Sequence, residues 1–255
     1  MRLIRFQTKA EPIQYGWVND SLVGRIAGSP FGEYQRSEAN LPLESVILHP
    51  PIIPGKIICV GRNYLEHVKE QNAEPPTTPL IFLKPPSSVI AHMQTIVLPP
   101  QSQQVDHEAE LVVVIGKRGR WIQPAEAIDH IYGYTIGNDV TARDLQRKDG
   151  QWTRSKGFDT FCPLGPWVDT EFDPVDAIIT CHVNGVLRQM ASTRDMIFRI
   201  DQIIAYISSI MTLEVGDVIM TGTPAGISPL NPGDVVESAI EGLGILRNPV
   251  ASENH

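Results

Sequence analysis

Two glutamates, two residues apart at the head of an apolar run, are the side chains best suited to chemistry. The run from Leu111 to Ile115 is continuously hydrophobic, which predicts a strand that is buried on both faces. Residues i and i+2 of a strand point to the same face, so Glu108 and Glu110 would enter this interior together. Two like charges there are costly unless a cation lies between them, and oxygen ligands favour Mg²⁺, Mn²⁺ or Ca²⁺ over Zn²⁺. The alternative is an exposed strand end with two solvated glutamates.

A third acid follows a second predicted strand. The pattern of residues 132–140 predicts a strand that ends near Asp139, and the polar stretch 141–147 predicts a short helix. A carboxylate at a strand end, beside Arg and Gln side chains, is more typical of a functional site than of a core. Glu108, Glu110 and Asp139 could together hold a hard cation and leave positions open for water and substrate, as a Lewis-acid enzyme requires.

His67 and Glu70 lie three residues apart in a predicted helix and therefore share a face. A carboxylate bonded to one imidazole nitrogen fixes the tautomer and raises the basicity of the other nitrogen, so the pair could act as a general base. The alternative is an ordinary pair on a solvated helix face. The turn before this helix follows a predicted buried strand, which favours a position at a sheet edge.

Two further segments offer polar groups to a substrate. Lys156 lies in residues 150–159, a basic and aromatic stretch without clear period, which predicts a loop at a pocket rim. Its ammonium could neutralise a substrate carboxylate or a developing enolate, or it could be an ordinary surface lysine. Residues 220–226 end a strand with small residues and could present backbone N–H groups and the Thr223 hydroxyl to a carboxylate. A plain glycine turn is the alternative there.

Composition excludes several classes of protein. The formal charge of −8 argues against a nucleic-acid partner, and no apolar run approaches the roughly 20 residues needed to cross a bilayer. The three cysteines are widely spaced without a CxxC motif, which fits a reduced compartment and neither a disulfide framework nor a zinc cluster. The first residues lack the apolar region of a signal peptide. We therefore expect a cytoplasmic protein without a membrane partner.

The chain divides into two predicted units. Residues 1–50 have the pattern of a small N-terminal β domain, with a hairpin whose turn is formed by residues 19–21. The proline-rich stretch 49–55 is the expected boundary, and residues 51–255 form the predicted catalytic domain. Apolar residues recur at helical spacing between Ile200 and Met211. With 21 prolines and many short strands, the fold class is predicted to be β-rich α+β.

These segments, in this order, resemble the fumarylacetoacetate hydrolase superfamily. The resemblance extends from about residue 56 to residue 245, and it is carried by the stretches 59–64, 107–111, 139–144 and 221–224 together with His67, Glu70 and Lys156. The most similar members are acylpyruvate hydrolases, oxaloacetate decarboxylases and the 2-hydroxyhepta-2,4-diene-1,7-dioate isomerase group. The additional residues at the N-terminus resemble the bacterial isomerase/decarboxylase members.

The resemblance implies a mixed β-sandwich roll and an Mg²⁺ or Mn²⁺ site, with Ca²⁺ as a crystallographic substitute. It implies metal ligands at Glu108, Glu110 and Asp139, a catalytic dyad of His67 and Glu70 on a lid, and a catalytic Lys156 near a metal-bound 2-oxo acid. It also implies a homodimer and a pocket for the small-molecule substrate, whose binding residues would be Arg62, Arg143, Gln146 and Thr223.

Several reactions of such a site would pass through the same enolate intermediate. The expected function is metal-dependent C–C bond hydrolysis or decarboxylation of 2-oxo acids, such as acylpyruvates, fumarylpyruvate or oxaloacetate. The alternative is a 2-hydroxyhepta-2,4-diene-1,7-dioate isomerase or 5-oxopent-3-ene-1,2,5-tricarboxylate decarboxylase of aromatic catabolism. A non-enzymatic protein stiffened by Ca²⁺ is a further alternative, but it would have no use for His67, Glu70 and Lys156 together.

Overall fold

The computed structural model describes residues 1–253, and most of its regular structure is β-strand. A 13-stranded sheet and a 5-stranded sheet form the body, and a 2-stranded pair lies beside them. The prediction of a β-rich fold with mixed sheets is confirmed.

The N-terminal residues supply six strands to the large sheet. They are β1 (Arg2–Gln7), β2 (Gln14–Asn19), β3 (Leu22–Gly28), β4 (Tyr34–Arg36), β5 (Leu41–Pro42) and β6 (Ile47–His49). The predicted hairpin is present as β2 and β3, with Asp20 at φ 53° in the turn. β1 pairs with a strand of the second half, at the register Arg2↔Asp169, so the N-terminal strands are continuous with the main sheet. The domain boundary near residue 50 stays a prediction.

The middle of the chain supplies six more strands of the large sheet, both strands of the small pair and one strand of the five-stranded sheet. They are β7 (Ile57–Gly61), β8 (Leu80–Lys84), β9 (Val89–Ile90), β10 (Ile96–Leu98), β11 (Val105–Asp106), β12 (Ala109–Ile115), β13 (Ile131–Asn138), β14 (Thr141–Ala142) and β15 (Cys162–Asp169). Of these, β10 belongs to the five-stranded sheet, and β11 pairs with β14.

Strand β12 lies in the centre of the molecule, and every one of its residues is buried. Leu111 and Val113 contact one hydrophobic cluster, whereas Val112 and Val114 contact another. The prediction of a strand buried on both faces is therefore confirmed. Its neighbours, β13 and the later strand β18 (Val218–Met220), are both antiparallel to it.

The large sheet is strongly curved at the end that carries β8. Four strand spacings separate β13 from β8 in the order β13-β12-β18-β7-β8, and they would span about 19 Å in a flat sheet. The side chain of Lys84 at the end of β8 nevertheless contacts Asp139, which follows β13, at 2.6 Å. The curvature therefore closes the sheet around the ends of these strands.

The second sheet packs beside the first and is formed mainly by the C-terminal part of the chain. Its order is β10-β20-β19-β16-β17. The bounds of the last four strands are β16 (Ile178–Val183), β17 (Val186–Ser192), β19 (Val235–Ile240) and β20 (Gly244–Ser252).

Four α-helices connect the strands: α1 (Leu65–Glu70), α2 (Arg143–Asp149), α3 (Thr153–Lys156) and α4 (Ile200–Ile210). Short 3-10 helices span Leu43–Ser45, Pro86–Ser88, Pro124–His130 and Thr193–Asp195. The amphipathic helix near residue 200 is confirmed, since α4 buries Ile203, Ile204 and Ile207. The loop expected around Lys156 is wrong: this lysine ends α3 and is 2% exposed, because four helical residues are too few to produce a visible period.

All three cysteines are free and buried. Across residues 1–253, no helix has both the length and the apolar character needed to span a membrane.

Candidate metal and active site

Three carboxylates meet where strands β12 and β13 come together. The antiparallel register places Ala109 opposite Asn138, so Glu108 and Asp139 adjoin the same end of the ladder. The Asp139 N–H donates to the Glu108 carbonyl at 2.8 Å, which fixes the two backbones. Candidate ligand atoms of Glu108, Glu110 and Asp139 all lie within 4.8 Å of one another, and each residue is at least 95% buried.

Three basic side chains surround these carboxylates. Lys156 Nζ lies 2.8 Å from Glu108 Oε2 and 2.5 Å from Asp139 Oδ2, and it also lies over the ring of Phe82. Lys84 Nζ donates to the other oxygen of Asp139. Arg143 donates from Nη2 to Glu108 and from Nε to Asp106, the latter at 2.9 Å.

The surroundings shift the pKa values of Glu108 and Glu110 in opposite directions. Burial alone would raise the pKa of Glu108, but Lys156 and Arg143 outweigh it and hold this pKa well below its usual range. Burial raises the pKa of Glu110 well above its usual range, and the charges of Asp139 and Glu108 raise it further. The Gly222 N–H donates to Glu110 Oε2 at 2.8 Å and only partly offsets this shift. Glu110 is therefore the carboxyl that most needs an additional positive charge.

The three side chains fit a hard divalent cation. All offer oxygen, the donor that Mg²⁺, Mn²⁺ and Ca²⁺ prefer, and their spacing is compatible with ligands around one such ion. An ion there would also offset the mutual repulsion that raises the pKa of Glu110. The cluster offers no sulfur or imidazole ligand, which disfavours Zn²⁺.

The predicted dyad is formed on α1. His67 is 3% exposed, and its Nδ1 lies 3.0 Å from Glu70 Oε2. The Gln71 amide lies 2.9 Å from His67 Nε2. Burial opposes ionisation of Glu70, but the hydrogen bonds from His67 and the Gly226 N–H keep its pKa below the usual value. Glu70 and Gln71 together fix the orientation of the His67 ring.

All ten residues predicted for the site line two adjoining spaces. The inner recess holds the three carboxylates with Arg62, His67, Gln146, Lys156 and Thr223 on its walls. The outer cavity, of about 540 Å³, is lined by Arg62, Glu70, Arg143 and Gln146 among others. The two spaces adjoin, since both are lined by Arg62, Gln71, Gln146 and Trp152. The roles of these residues stay predictions.

The residues predicted to bind substrate differ in whether their polar atoms already have hydrogen-bond partners in the protein. Every guanidinium nitrogen of Arg143 donates to Asp106, Glu108 or Gln146, so its first function here is to hold acidic side chains. The Thr223 hydroxyl donates to the Ala109 carbonyl at 2.9 Å and accepts from Gln189. Arg62 has φ 58°, and its buried Nε has no hydrogen-bond partner among the described residues, which leaves it available to an anion.

Four polar residues that the sequence pattern did not indicate organise this site. Lys84 binds Asp139, Asp106 binds Arg143, Gln71 contacts His67, and Gln189 links His107, Ala109 and Thr223. Gln71 follows His67 by four residues, so helical spacing could have found it. Lys84 and Gln189 lie in strands distant in sequence from their partners, and no local pattern marks them.

Two family models match adjoining parts of the chain. Residues 56–251 match the model described as "Fumarylacetoacetate (FAA) hydrolase C-terminal". Residues 1–51 match the model described as "Rv2993c-like, N-terminal".

Curated relatives are similar over most of the chain. Protein Rv2993c of Mycobacterium tuberculosis is 47% identical over 240 residues, which cover 93% of this chain and 91% of that protein. The mitochondrial oxaloacetate tautomerase FAHD2B of Bos taurus is 41% identical over 256 residues, which cover 96% of this chain and 80% of that protein.

Solved structures share the whole fold. The 2-hydroxyhepta-2,4-diene-1,7-dioate isomerase of Mycobacterium marinum superposes with a TM-score of 0.92 at 42% identity, covering all of both chains. The 5-carboxymethyl-2-hydroxymuconate delta-isomerase of Mycobacterium smegmatis gives 0.92 at 43% identity, covering 99% of this chain and 100% of that one. With a family model that matches residues 56–251 and relatives of this similarity, the chain belongs to the fumarylacetoacetate hydrolase family.

Proposed function

We propose that this protein is a divalent-metal-dependent enzyme that acts on small 2-oxo acids through an enol or enolate. The observation that carries the proposal is that the carboxylate cluster and the imidazole of His67 line one recess. When bound, Mg²⁺ or Mn²⁺ would supply Lewis-acid stabilisation of the negative charge that develops on the 2-oxo acid. Glu108, Glu110 and Asp139 would hold it.

The residues of the chain perform the remaining functions. His67 Nε2 accepts a proton from the substrate carbon or from water, and Glu70 stabilises the imidazolium that forms, because it already accepts the Nδ1 hydrogen bond. Lys156 places a positive charge beside the same recess and stabilises anionic substrate oxygens. Arg62 anchors a second anionic or polar group of the substrate where the outer cavity meets the recess.

Proton transfer is the step common to all the candidate reactions. The bovine relative is named an oxaloacetate tautomerase and two structural relatives are named isomerases, and such reactions move only a proton between enol and keto forms. We therefore place tautomerisation or isomerisation of a 2-oxo acid first. Decarboxylation and C–C bond hydrolysis stay as candidates, since both pass through the same enolate.

A substrate panel tests this proposal. Purified protein with Mg²⁺ or Mn²⁺ would be given oxaloacetate, an acylpyruvate and 2-hydroxyhepta-2,4-diene-1,7-dioate, with each reaction followed by ultraviolet absorbance. We expect turnover that EDTA abolishes and that either cation restores. Absence of metal-dependent turnover on every member of the panel would contradict the proposal.

We also propose that the protein forms a homodimer. Ile128 and Val175 are 64% and 76% exposed and line an apolar groove of about 440 Å³, away from the carboxylates. Apolar surface of this kind is typical of protein interfaces, which supports association of two copies.

Glu110→Gln is expected to abolish turnover and to weaken Mn²⁺ binding severely, as measured by calorimetry. Glu110 is the cleanest of the three for this test because its only described side-chain hydrogen bond is from Gly222, whereas Glu108 and Asp139 also bind lysines. Asp217→Asn is the matched control, since Asp217 is an equally buried carboxylate that pairs with Lys56 instead. Normal Mn²⁺ affinity in Glu110→Gln would remove this residue from the ligand set.

Binding of Mn²⁺ is expected to release a proton and to weaken as the pH falls. The pKa of Glu110 is raised, so this carboxyl holds a proton over a wider pH range and must lose it before it can bind a cation. Calorimetric titration in buffers of different ionisation enthalpy measures the proton release. Binding without proton release, at an affinity independent of pH, would show that Glu110 is already ionised.

His67→Ala is expected to lower kcat by about 10²-fold or more, the usual effect of losing a general base. Mn²⁺ affinity should stay within the error of the calorimetric measurement, because His67 is not among the cluster's ligands. His130→Ala is a suitable control, since this histidine is also largely buried but hydrogen-bonds the Lys117 carbonyl outside both spaces. If metal binding and activity were lost together, His67 would have to be reassigned to the coordination sphere.

A further inference from the structure

Lys84 is a fully buried lysine whose ammonium is directed at the carboxylate cluster. It is the last residue of β8, where Pro85 and Pro86 end the strand. Its side chain has no exposed surface, and Nζ donates to Asp139 Oδ1 at 2.6 Å and to the Val140 carbonyl at 3.3 Å. A buried ammonium is costly without a charged partner, and Asp139 is the acidic partner that Lys84 has among the described residues.

The two lysines divide the oxygens of Asp139 between them. Lys84 binds Oδ1, whereas Lys156 binds Oδ2 and also Glu108 Oε2. Glu108, Glu110 and Asp139 would hold a cation there. Because Lys84 binds only Oδ1, the second oxygen of Asp139 is left to Lys156 in this structure.

The charges of the cluster favour an anionic substrate only if Lys84 is included. The buried carboxylates are Asp106, Glu108, Glu110 and Asp139, and the buried basic groups are Lys84, Lys156 and Arg143. With four carboxylates ionised and a divalent cation bound, one positive charge is left. That surplus matches the one carboxylate that a 2-oxo acid would bring to the cluster, and its attraction for the substrate grows as an enolate develops.

We propose that Lys84 compensates the charge of the carboxylate cluster. Its ammonium, held against Asp139 Oδ1, keeps the loaded site positive enough to bind an anionic 2-oxo acid. This inference rests on the proposed function of the same site.

The test compares Lys84→Met with Lys56→Met. Lys56 is the control because it also pairs at 2.6 Å with a buried aspartate, Asp217, although its own side chain is 30% exposed. Lys56 immediately precedes the neighbouring strand β7. Mn²⁺ binding is measured first by calorimetry, followed by oxalate binding at saturating Mn²⁺, with the melting temperature of each protein recorded. Oxalate is the probe because it is a dianion that mimics the enolate of a 2-oxo acid.

We expect Lys84→Met to bind Mn²⁺ at least as tightly as the wild type, since a nearby positive charge has been removed. Oxalate affinity should fall at least about tenfold, the scale of one charge–charge interaction in a partly buried site. Lys56→Met should keep the wild-type affinities for both, whatever its melting temperature. A Lys84→Met protein that binds oxalate normally would overturn the proposal. Loss of Mn²⁺ binding would overturn it too, because removal of a positive charge does not weaken a cation site electrostatically.

Lys84→Gln keeps the test decisive if the methionine variant does not fold. Glutamine retains an N–H donor towards Asp139 but carries no charge, so oxalate affinity should again fall about tenfold. Wild-type oxalate affinity in this variant would show that the hydrogen bond matters and the charge does not. If the wild type itself failed to bind oxalate in the presence of Mn²⁺, the proposed function would fail, which is distinguishable from failure of the role of Lys84 alone.

Discussion

The burial of four carboxylates against three basic groups is the constraint on which the rest of this structure depends. Four carboxylates are almost inaccessible to solvent: Asp106, Glu108, Glu110 and Asp139. Ionising any one of them without a charged partner would cost several kcal/mol of free energy. Lys156 and Arg143 hold the pKa of Glu108 well below its usual range, whereas the pKa of Glu110 is raised. A protein rarely keeps such an arrangement for stability, because apolar residues of similar size would serve as well or better. Under the proposed function, the arrangement serves to bind a cation and an anionic substrate.

The fold supplies the rigidity that this cluster needs. Strand β12 is buried on both faces, and its ladder with β13 fixes Glu108 against Asp139. Curvature of the large sheet then brings β8, with Lys84, onto the same group of side chains. The dyad lies on α1, where the bond from the Gly226 N–H to Glu70 connects it to the loop after β18. Strands and their immediate ends thus hold the four carboxylates and Lys84, whereas the short helices α2 and α3 carry Arg143 and Lys156.

Much of this site could be predicted because its residues obey local periodicities. The i, i+2 spacing of Glu108 and Glu110 and the i, i+3 spacing of His67 and Glu70 place each pair on one face. The structure brings the first two and His67 to one recess, with Glu70 in the outer cavity. The short helix that ends at Lys156 has no such period, so the sequence predicts a loop there. Lys84 could not be found from the sequence, since its partner is 55 residues away and the contact exists only because the sheet is curved. Arg143 was expected to face substrate, but the ladder places two acids within its reach, Asp106 and Glu108.

The most direct test of the central claim is a crystal structure of the protein soaked with Mn²⁺ and oxalate, with anomalous scattering used to locate the metal. The account predicts one strong anomalous peak among Glu108, Glu110 and Asp139, with oxalate in contact with it and facing His67 and Lys156. A peak elsewhere, or a cluster in which Lys156 still bridges Glu108 and Asp139 with no metal bound, would contradict it.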